Sequence, residues 1–285
     1  MPELPEVEVL CRALQQHLIG KTIAGTIVNQ PACIRQTPEA YEAALVGGTV
    51  GAVWRKGKTV IVDLSNGWSV LIHLALGGHI VLRDTADHDP AEAQIVLRFT
   101  DGTALHAERL LLGNLPAVQT YDVALTRLRK TGPDALNEPL DGAALQAAIG
   151  GKRGAVKPPL IDQSVMAGIG NLWSDEILFA ARLHPETPAN ALGAADFERL
   201  AAAIREVLTR AVEAGGAEQV SFLEGPEGGP AAEAQVQVHG REGEPCPICA
   251  SPIRTAKVSG KTAFHCPKCQ RKKAKRAAKG GAKGR

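Results

Sequence analysis

The spacing of hydrophobic and polar positions along this chain changes from helical to strand-like and back to helical. Near the start, apolar residues recur every three or four positions, which predicts one amphipathic helix over residues 6–18, ended by Gly20. The positions in this stripe are Val7, Leu10, Cys11, Leu14 and Leu18. From Thr22 to about Val123, short runs rich in Val, Ile, Leu and Thr alternate with Gly, Asp and Asn. This spacing predicts an antiparallel β-sandwich or barrel.

After these strands the spacing becomes helical. The polar, proline-containing stretch "KTGPDALNEPL" (130–140) predicts an interdomain linker. Beyond it, "DGAALQAAIGG" predicts a short helix, and "PPLIDQSVMAGIGNLWSDEILFAARLHP" predicts two helices joined by "AGIGN". A long amphipathic helix is predicted by "AADFERLAAAIREVLTRAVEAGG", and the Gly- and Pro-rich residues 224–235 predict a mobile loop.

Four of the six cysteines form two Cys-x2-Cys pairs with sixteen residues between them. They are Cys246, Cys249, Cys266 and Cys269. Each pair can turn two thiolates towards one ion, so two facing pairs complete a tetrahedral site. Disulfides are the alternative, but a reducing cytoplasm and the clustering at one end favour a zinc ribbon. Four thiolates leave no open coordination position, so we predict one structural Zn²⁺. Cys11 and Cys33 lack such partners and are interpreted as small buried hydrophobic residues.

Two short turns in the second half are candidates for phosphate contacts. Between the cysteine pairs, "IRTAKVSGKTAFHC" alternates like a hairpin, with Ser259-Gly260 as its turn and Lys261 near the tip. In "MAGIGNLW", Gly168 and Gly170 allow a tight backbone, and Asn171 is expected to cap the next helix. The N–H groups at a helix start bind phosphate, although the motif also suits a helix–helix turn without a ligand.

Composition and charge narrow the function classes. The 285 residues contain no apolar run of 18 and no signal peptide at the start, so we expect a cytoplasmic protein and no membrane span. The net charge of +2 conceals eight basic residues after Gln270, and the rest of the chain carries 24 basic and 30 acidic residues. Any nucleic-acid surface on the body must therefore be local. The tail, 271–285, is expected to be disordered, either as a solubilising end or as a non-specific phosphate contact.

Several of these segments together resemble one enzyme family. The start "PELPEVE", the "RKGK" before a strand, the "GIGN" turn and the cysteine ribbon are similar to the formamidopyrimidine-DNA glycosylase / endonuclease VIII family, closer to its first branch. The resemblance implies an α+β multidomain fold and a monomer that binds double-stranded DNA containing damaged bases or abasic sites. Its implied parts are a catalytic N-terminal β-sandwich domain with flanking helices (1–130), a linker (131–140), a helix-two-turn-helix domain (141–240), a zinc finger hairpin (241–270) and the basic tail (271–285).

The resemblance also explains the acidic, proline-rich start. It implies that Met1 is removed, so that Pro2 becomes a free secondary amine. An α-amino group titrates near pH 8, and its neutral form can attack the sugar C1′, expel the damaged base and form an iminium. Elimination then cuts the strand. Glu3 is expected to move protons, and Glu6 to bind the sugar or orient the amine. The alternative for Glu3 and Glu6 is that they only favour a helix N-terminus.

Further site residues come from the same resemblance. Lys58, rather than its neighbour Lys56, is expected to hold a flanking phosphate and assist proton transfer. Lys261 takes the place of the hairpin-tip arginine that supports elimination. Candidate DNA contacts are His73, Leu76, Arg109, Lys152, Arg153, Lys157 and Asn171. Lys157 is expected to point towards a lesion pocket, and Asn171 to clamp a phosphate. For His73, a role as a satisfied strand histidine is the alternative.

Some positions depart from the family pattern and bear on the substrate. Leu76 stands where the purine-lesion branch has a wedge methionine, and "HAERLLLGNL" (106–115) replaces a stretch that ends in phenylalanine. The loop "GGPAAEAQV" lacks an aromatic pair. An all-leucine wedge fills space but cannot hydrogen-bond the orphaned base, so we expect weak opposite-base discrimination.

These departures leave the substrate and the function class open. The lesion class stays open among oxidised purines, oxidised pyrimidines, ring-opened bases and abasic sites, with oxidised purines slightly favoured. A DNA-binding protein of the same fold without efficient excision would also fit the altered wedge and loop. A zinc-ribbon RNA-binding or regulatory module is a third, weaker interpretation.

Overall fold

The computed structural model describes residues 2–84, 93–119, 128, 130–217 and 236–273. The chain divides into two compact units. The first consists of residues 1–134 and 208–235, and the second of residues 135–207 and 236–285. Within the described ranges, no helix is both long and apolar enough to cross a membrane.

The first unit begins with helix α1, which spans Leu4–Leu18. It starts two residues earlier than predicted, because Glu3 has extended backbone and serves as the N-cap, with a proline in the first turn. Strand β1 (Ile23–Val28), a 3₁₀ turn (Pro31–Cys33) and helix α2 (Pro38–Leu45) follow. The buried face of α1 carries the predicted apolar stripe.

Seven further strands complete two antiparallel sheets, which confirms the predicted sandwich. They are β2 (Val50–Lys56), β3 (Thr59–Leu64), β4 (Trp68–Ile72), β5 (His79–Asp84), β6 (Ile95–Phe99), β7 (Thr103–Glu108) and β8 (Ala117–Gln119). One sheet has the order β1-β6-β7-β5 and the other β2-β3-β4-β8. A single apolar core contains residues of both sheets, α1 and α2, and Cys11 and Cys33 lie buried in it as expected.

The second unit is mainly helical. Its helices are α3 (Gly142–Ile149), α4 (Lys157–Ile161) and α5 (Asn171–Ala180), with a 3₁₀ turn at Ala189–Ala191. The long helix α6 (Ala194–Glu213) begins in this unit and ends in the first. Strands β9 (Arg254–Val258) and β10 (Lys261–His265) form the predicted hairpin, in register from Lys261 opposite Val258 to His265 opposite Arg254. Ser259 and Gly260 both have positive φ, which suits a two-residue turn of the type I′ class.

The predicted linker and the start of the tail that was expected to be disordered both contain residues with defined contacts. In the predicted linker, Asp134 and Ala135 are each 1 % exposed. At the start of the tail, the Lys272 ammonium donates to Glu186 at 3.2 Å, and the Lys273 ammonium donates to both carboxylate oxygens of Asp196 at 2.6 and 2.7 Å. The predictions for 224–235 and for the rest of the tail, 274–285, lie outside the described residues. The proposed domain bounds stay predictions.

Candidate active site

Both oxygens of the Glu6 carboxylate accept hydrogen bonds from backbone amides. Glu6 Oε2 accepts a hydrogen bond from the Glu3 N–H at 2.8 Å, and Glu6 Oε1 accepts one from the Ala217 N–H at 2.7 Å. Pro2 is buried, and Glu3 and Glu6 are 3 % and 2 % exposed. Burial raises the pKa of Glu6, and the hydrogen bonds from Ala217 and Glu3 oppose that rise. This geometry favours orientation of the N-terminus, rather than sugar binding, as the role of Glu6.

The turn that carries Lys58 is fixed by a buried ion pair. Arg55 Nη1 and Nη2 donate to the two oxygens of Asp134 at 2.5 and 3.0 Å, and both side chains are 1 % exposed. The same carboxylate accepts from the Gly57 N–H at 2.7 Å, and Arg55 Nη1 also donates to the Gly57 carbonyl. A two-pronged guanidinium–carboxylate contact of this kind is both strong and directional. It therefore anchors the backbone immediately before Lys58.

His73 and Lys58, predicted from separate motifs, lie together. His73 Nδ1 is 3.1 Å from the Lys58 carbonyl oxygen. Burial lowers the pKa of His73, with further lowering from the charges of Lys58 and Arg35, and the hydrogen bond to the carbonyl opposes this. A neutral imidazole donates from Nδ1 to that oxygen and leaves Nε2 for another partner.

The predicted wedge residues meet at one edge of the first unit. The Leu76 N–H donates to the Leu111 carbonyl at 3.3 Å. Leu76, Leu111 and Leu112 are 46 %, 67 % and 81 % exposed. Arg109 and Leu112 both have positive φ, at 52° and 62°, which is uncommon for residues with a side chain. Exposed leucines in adjoining loops of this kind mark an interaction surface rather than a core.

In the second unit, Asn171 occupies a different position in its helix from the one predicted. Gly170 is the N-cap of α5 and Asn171 is the first helical residue, so the expected side-chain cap is wrong. The Asn171 amide instead donates from Nδ2 to the Thr262 carbonyl at 3.1 Å, which ties the turn before α5 to strand β10. Among the described residues, its buried Oδ1 has no hydrogen-bond partner.

Lys157 is also placed differently from the expectation that it points towards a lesion pocket. It is 1 % exposed, and its ammonium donates to Asp175 Oδ1 at 2.5 Å. The second oxygen of Asp175 lies 2.8 Å from His239 Nδ1, and weaker contacts of 3.4 Å join Lys157 to the carbonyls of Asn171 and Thr262. This buried network fastens α4, α5 and the hairpin to one another. The DNA-binding role of Lys157 stays a prediction that this burial disfavours.

Three other basic candidates of this unit are exposed. Lys152 and Arg153 precede α4, and Lys261 begins β10. Lys152 lines an open cleft of about 310 Å³ that also contains Asp162 and the hairpin-turn residue Ser259. The structure therefore places Lys152 and the hairpin tip beside the same groove.

The four ribbon cysteines fit one metal ion. Their Sγ atoms all lie within 4.8 Å of one another. The Cys246–Cys269 and Cys249–Cys266 sulfur pairs are 3.9 and 3.4 Å apart. A tetrahedral Zn²⁺ with four bonds of 2.3 Å requires sulfur separations of roughly 3.8 Å. The cluster can thus hold one structural zinc, which confirms the predicted metal site.

Comparison with known proteins agrees with this geometry. Residues 1–109 match the model of the formamidopyrimidine-DNA glycosylase N-terminal domain, and residues 131–222 match that of the formamidopyrimidine-DNA glycosylase H2TH domain. The two matches cover most of the chain.

The chain belongs to the formamidopyrimidine-DNA glycosylase family. Formamidopyrimidine-DNA glycosylases of Halorhodospira halophila and Cereibacter sphaeroides are each 36 % identical to it, covering 95 % of this chain and 100 % of theirs. Two solved structures of the Lactococcus lactis Fpg, one of a mutant with Fapy-dG-containing DNA and one with abasic-site DNA, align with a TM-score of 0.86. They are 29 % and 28 % identical and cover 95 % of this chain and 100 % of theirs.

Sequence reasoning missed the residues that hold the family site in place. Arg55 lies next to Lys56 and close to Lys58, the residue to which the functional role was assigned. Asp134 lies in the predicted linker. Asp175 lies one turn after Asn171 on α5, but its partner Lys157 is 18 positions away. For Asp175 the available signal is a charged residue in an otherwise apolar helix, because such residues are almost always paired. Arg55, in a partly exposed strand, and Asp134, in a polar segment, carry no such signal.

Proposed function

We propose that this DNA glycosylase of base excision repair is bifunctional and uses Pro2 as its nucleophile. Removal of Met1 exposes the secondary amine of Pro2. Its attack on C1′ of the damaged nucleotide forms the C–N bond as the bond from C1′ to the base breaks. The departing base takes a proton and the amine loses its own. The C1′–O4′ bond then breaks as O4′ is protonated, which opens the sugar ring and gives the iminium; this makes the C2′ proton acidic enough for elimination of the 3′-phosphate. The lyase step that follows is typical of the family. The buried Glu3–Glu6 arrangement at the start of α1 is the observation that carries this proposal.

Each residue of the first unit has a stated part in this proposal. Glu3 moves protons between the sugar oxygen, the amine and solvent. Glu6 orients the N-terminal backbone. Lys58, on the turn anchored by the Arg55–Asp134 pair, binds the phosphate beside the lesion, and His73 supports that turn from the Lys58 carbonyl. The exposed leucines at 76, 111 and 112 fill the space left when the nucleotide is turned out of the duplex.

The second unit supplies DNA binding. Asn171 and Lys261 contact backbone phosphates, with Lys152 and Arg153 as neighbouring positive charges. Lys261 keeps the charge of the arginine usual at the tip but lacks its planar fork, so the second elimination is slower than the first. The zinc holds the hairpin that carries Lys261 in shape.

The composition of the wedge bears on the base opposite the lesion. Leucine side chains exclude water but donate no hydrogen bond, so they do not read the opposite base. We propose that the enzyme acts as a monomer, in the cytoplasm and at the nucleoid. Its proposed substrates are several oxidised or ring-opened bases and abasic sites, with oxidised purines preferred.

Borohydride trapping tests the proposal. Duplexes that each contain one lesion or an abasic site are incubated with the enzyme and sodium borohydride, which reduces the iminium to a stable adduct. A matched control is the same chain with an acetylated Gly-Ser extension before Pro2, which keeps every side chain, turns the Pro2 amine into an amide and leaves no free α-amine. Adduct formation by the mature chain and none by the extended chain supports the proposal. Tight, lesion-specific binding with no adduct on any duplex would instead establish a damage-binding protein of this fold.

A further inference from the structure

The backbone that follows α6 comes into direct contact with Glu6. The Ala217 N–H donates to Glu6 Oε1 at 2.7 Å, while Oε2 of the same carboxylate accepts from the Glu3 N–H. Glu6 is 2 % exposed, so water does not compete for either bond. One buried carboxylate thus joins two backbone amides that are far apart in the sequence but belong to the same compact unit.

Gly216 is the residue that permits this contact. A Cβ atom at Gly216 would lie 2.9 Å from Glu6 Cγ, 3.1 Å from Oε1 and 3.3 Å from Cα. At these distances either Glu6 or the segment 215–217 must move. The neighbouring Gly215 has almost the same φ, +88° against +87°, but a Cβ there would meet nothing within 4 Å. A side chain at either position would be strained by the positive φ, and only one at Gly216 would also meet Glu6.

We propose that Gly216 and the Ala217 amide are positioning residues for the amino-terminal nucleophile and that they act through Glu6. This inference rests on the proposed role of Pro2. The Glu3 amide held by Glu6 belongs to the peptide bond that directly follows Pro2. Displacement of the Glu6 carboxylate therefore shifts the Pro2 nitrogen relative to C1′ of the bound sugar. An error of about 1 Å in such a geometry can lower a rate on the order of a hundredfold.

The paired substitutions Gly216→Ala and Gly215→Ala separate this role from backbone strain. Both are made in the full-length chain and tested by borohydride trapping with abasic-site DNA under single-turnover conditions. The rate at saturating enzyme and the half-saturating concentration are measured for each, from pH 6 to pH 9. Melting temperature reports the strain that the two variants share.

We expect Gly216→Ala to lower the saturated trapping rate at least about tenfold, with the half-saturating concentration unchanged and the pH midpoint of the rate shifted. Gly215→Ala should keep the wild-type rate, half-saturation and pH midpoint. Similar rates for the two variants would overturn the inference. Absence of any adduct with the wild-type chain would instead overturn the proposed role of Pro2.

Glu6→Gln gives a second route to the same answer. The glutamine has one acceptor oxygen, so it cannot accept from Glu3 and Ala217 as the two carboxylate oxygens do. We expect a lower saturated rate for Glu6→Gln, and no further loss when Gly216→Ala is added, because both changes break one linkage. Rate losses that multiply in the double variant would contradict a shared path. If Gly216→Ala folds poorly, the single Glu6→Gln variant still decides the question, because a wild-type saturated rate for Glu6→Gln would overturn the inference.

Discussion

His73 Nδ1 lies 3.1 Å from the carbonyl oxygen of Lys58. The two residues follow different strands and belong to different sequence motifs, so their contact brings two independently predicted site residues to one place. The imidazole supports the Lys58 backbone, and the Arg55–Asp134 pair fixes the residue before it. The turn that carries Lys58 is therefore held on both sides.

Substitution of Lys58 should damage the reaction far more than substitution of Lys56. Loss of a positioned group that assists proton transfer typically lowers a rate a hundredfold or more, so we expect Lys58→Met to reduce base release by about that factor. Lys56→Met removes the same charge two positions away and serves as the control. Single-turnover excision at saturating enzyme is the measurement. Equal losses for the two variants would show that only the charge of this strand end matters.

The half-buried His73 predicts a specific pH dependence of stability. Its pKa is lowered from the ordinary value of 6.5, chiefly by burial, so the folded chain binds this proton less tightly than the unfolded chain. The stability from neutral His73 is fully present above about pH 6.5 and is lost as the pH falls through the lower folded-state pKa. We expect the difference in unfolding free energy between wild type and His73→Gln to shrink from pH 7.5 to pH 5 in urea titrations. A constant difference would contradict this.

Lys157 and Lys152 should differ in the salt dependence of DNA binding. Each phosphate neutralised by a protein cation adds about 0.9 to the slope of log K against log salt. Lys157 is paired with Asp175 and buried, so Lys157→Met should leave the slope unchanged even if affinity falls. Lys152 is exposed beside the hairpin cleft, so Lys152→Met should reduce the slope by about 0.9. A smaller slope for Lys157→Met would mean that DNA binding draws this lysine out of its ion pair.

The exposed leucines predict weak discrimination among opposite bases. A good hydrogen-bonded base contact is worth about 1–3 kcal/mol, and leucine makes none, so excision rates should agree within about tenfold opposite C, A, G and T. The double variant Leu111→Ala/Leu112→Ala should slow excision opposite all four bases, because the emptied stack is no longer filled. Ile19→Ala, at a residue that is 54 % exposed, is the control. A strong preference for one opposite base would show that another residue reads it.

Periodic and local features of this fold could be predicted from the sequence, and long-range polar pairs could not. The stripe of α1, the Ser259-Gly260 turn and the cysteine pairs each depend on residues within a few positions, so their patterns are legible in one segment. Asn171 illustrates the limit. A helix-capping role is its common local use, but in the fold its amide bonds to Thr262, 91 positions away. This hydrogen bond forms because the hairpin packs on α5, which the local sequence does not indicate.

The catalytic residues could be predicted from the family resemblance, but the residues that hold them in position could not. Pro2 and Glu3 stand out because the family start is so specific, whereas Gly216 and Asp134 look like an ordinary helix end and a linker. Gly216 matters because its missing Cβ allows Glu6 to come close, and Asp134 matters because it pairs with the buried guanidinium of Arg55. Such contacts depend on three-dimensional distance and leave no period in the sequence.

The covalent attachment point in the trapped complex shows most directly whether Pro2 is the nucleophile. The borohydride-trapped complex with abasic-site DNA is digested with trypsin and nuclease and mapped by mass spectrometry. We expect Met1 to be absent and the sugar remnant to lie on the α-nitrogen of Pro2, in the peptide that ends at Arg12. A remnant on a lysine such as Lys58, or an adduct formed by a chain that keeps Met1, would contradict it.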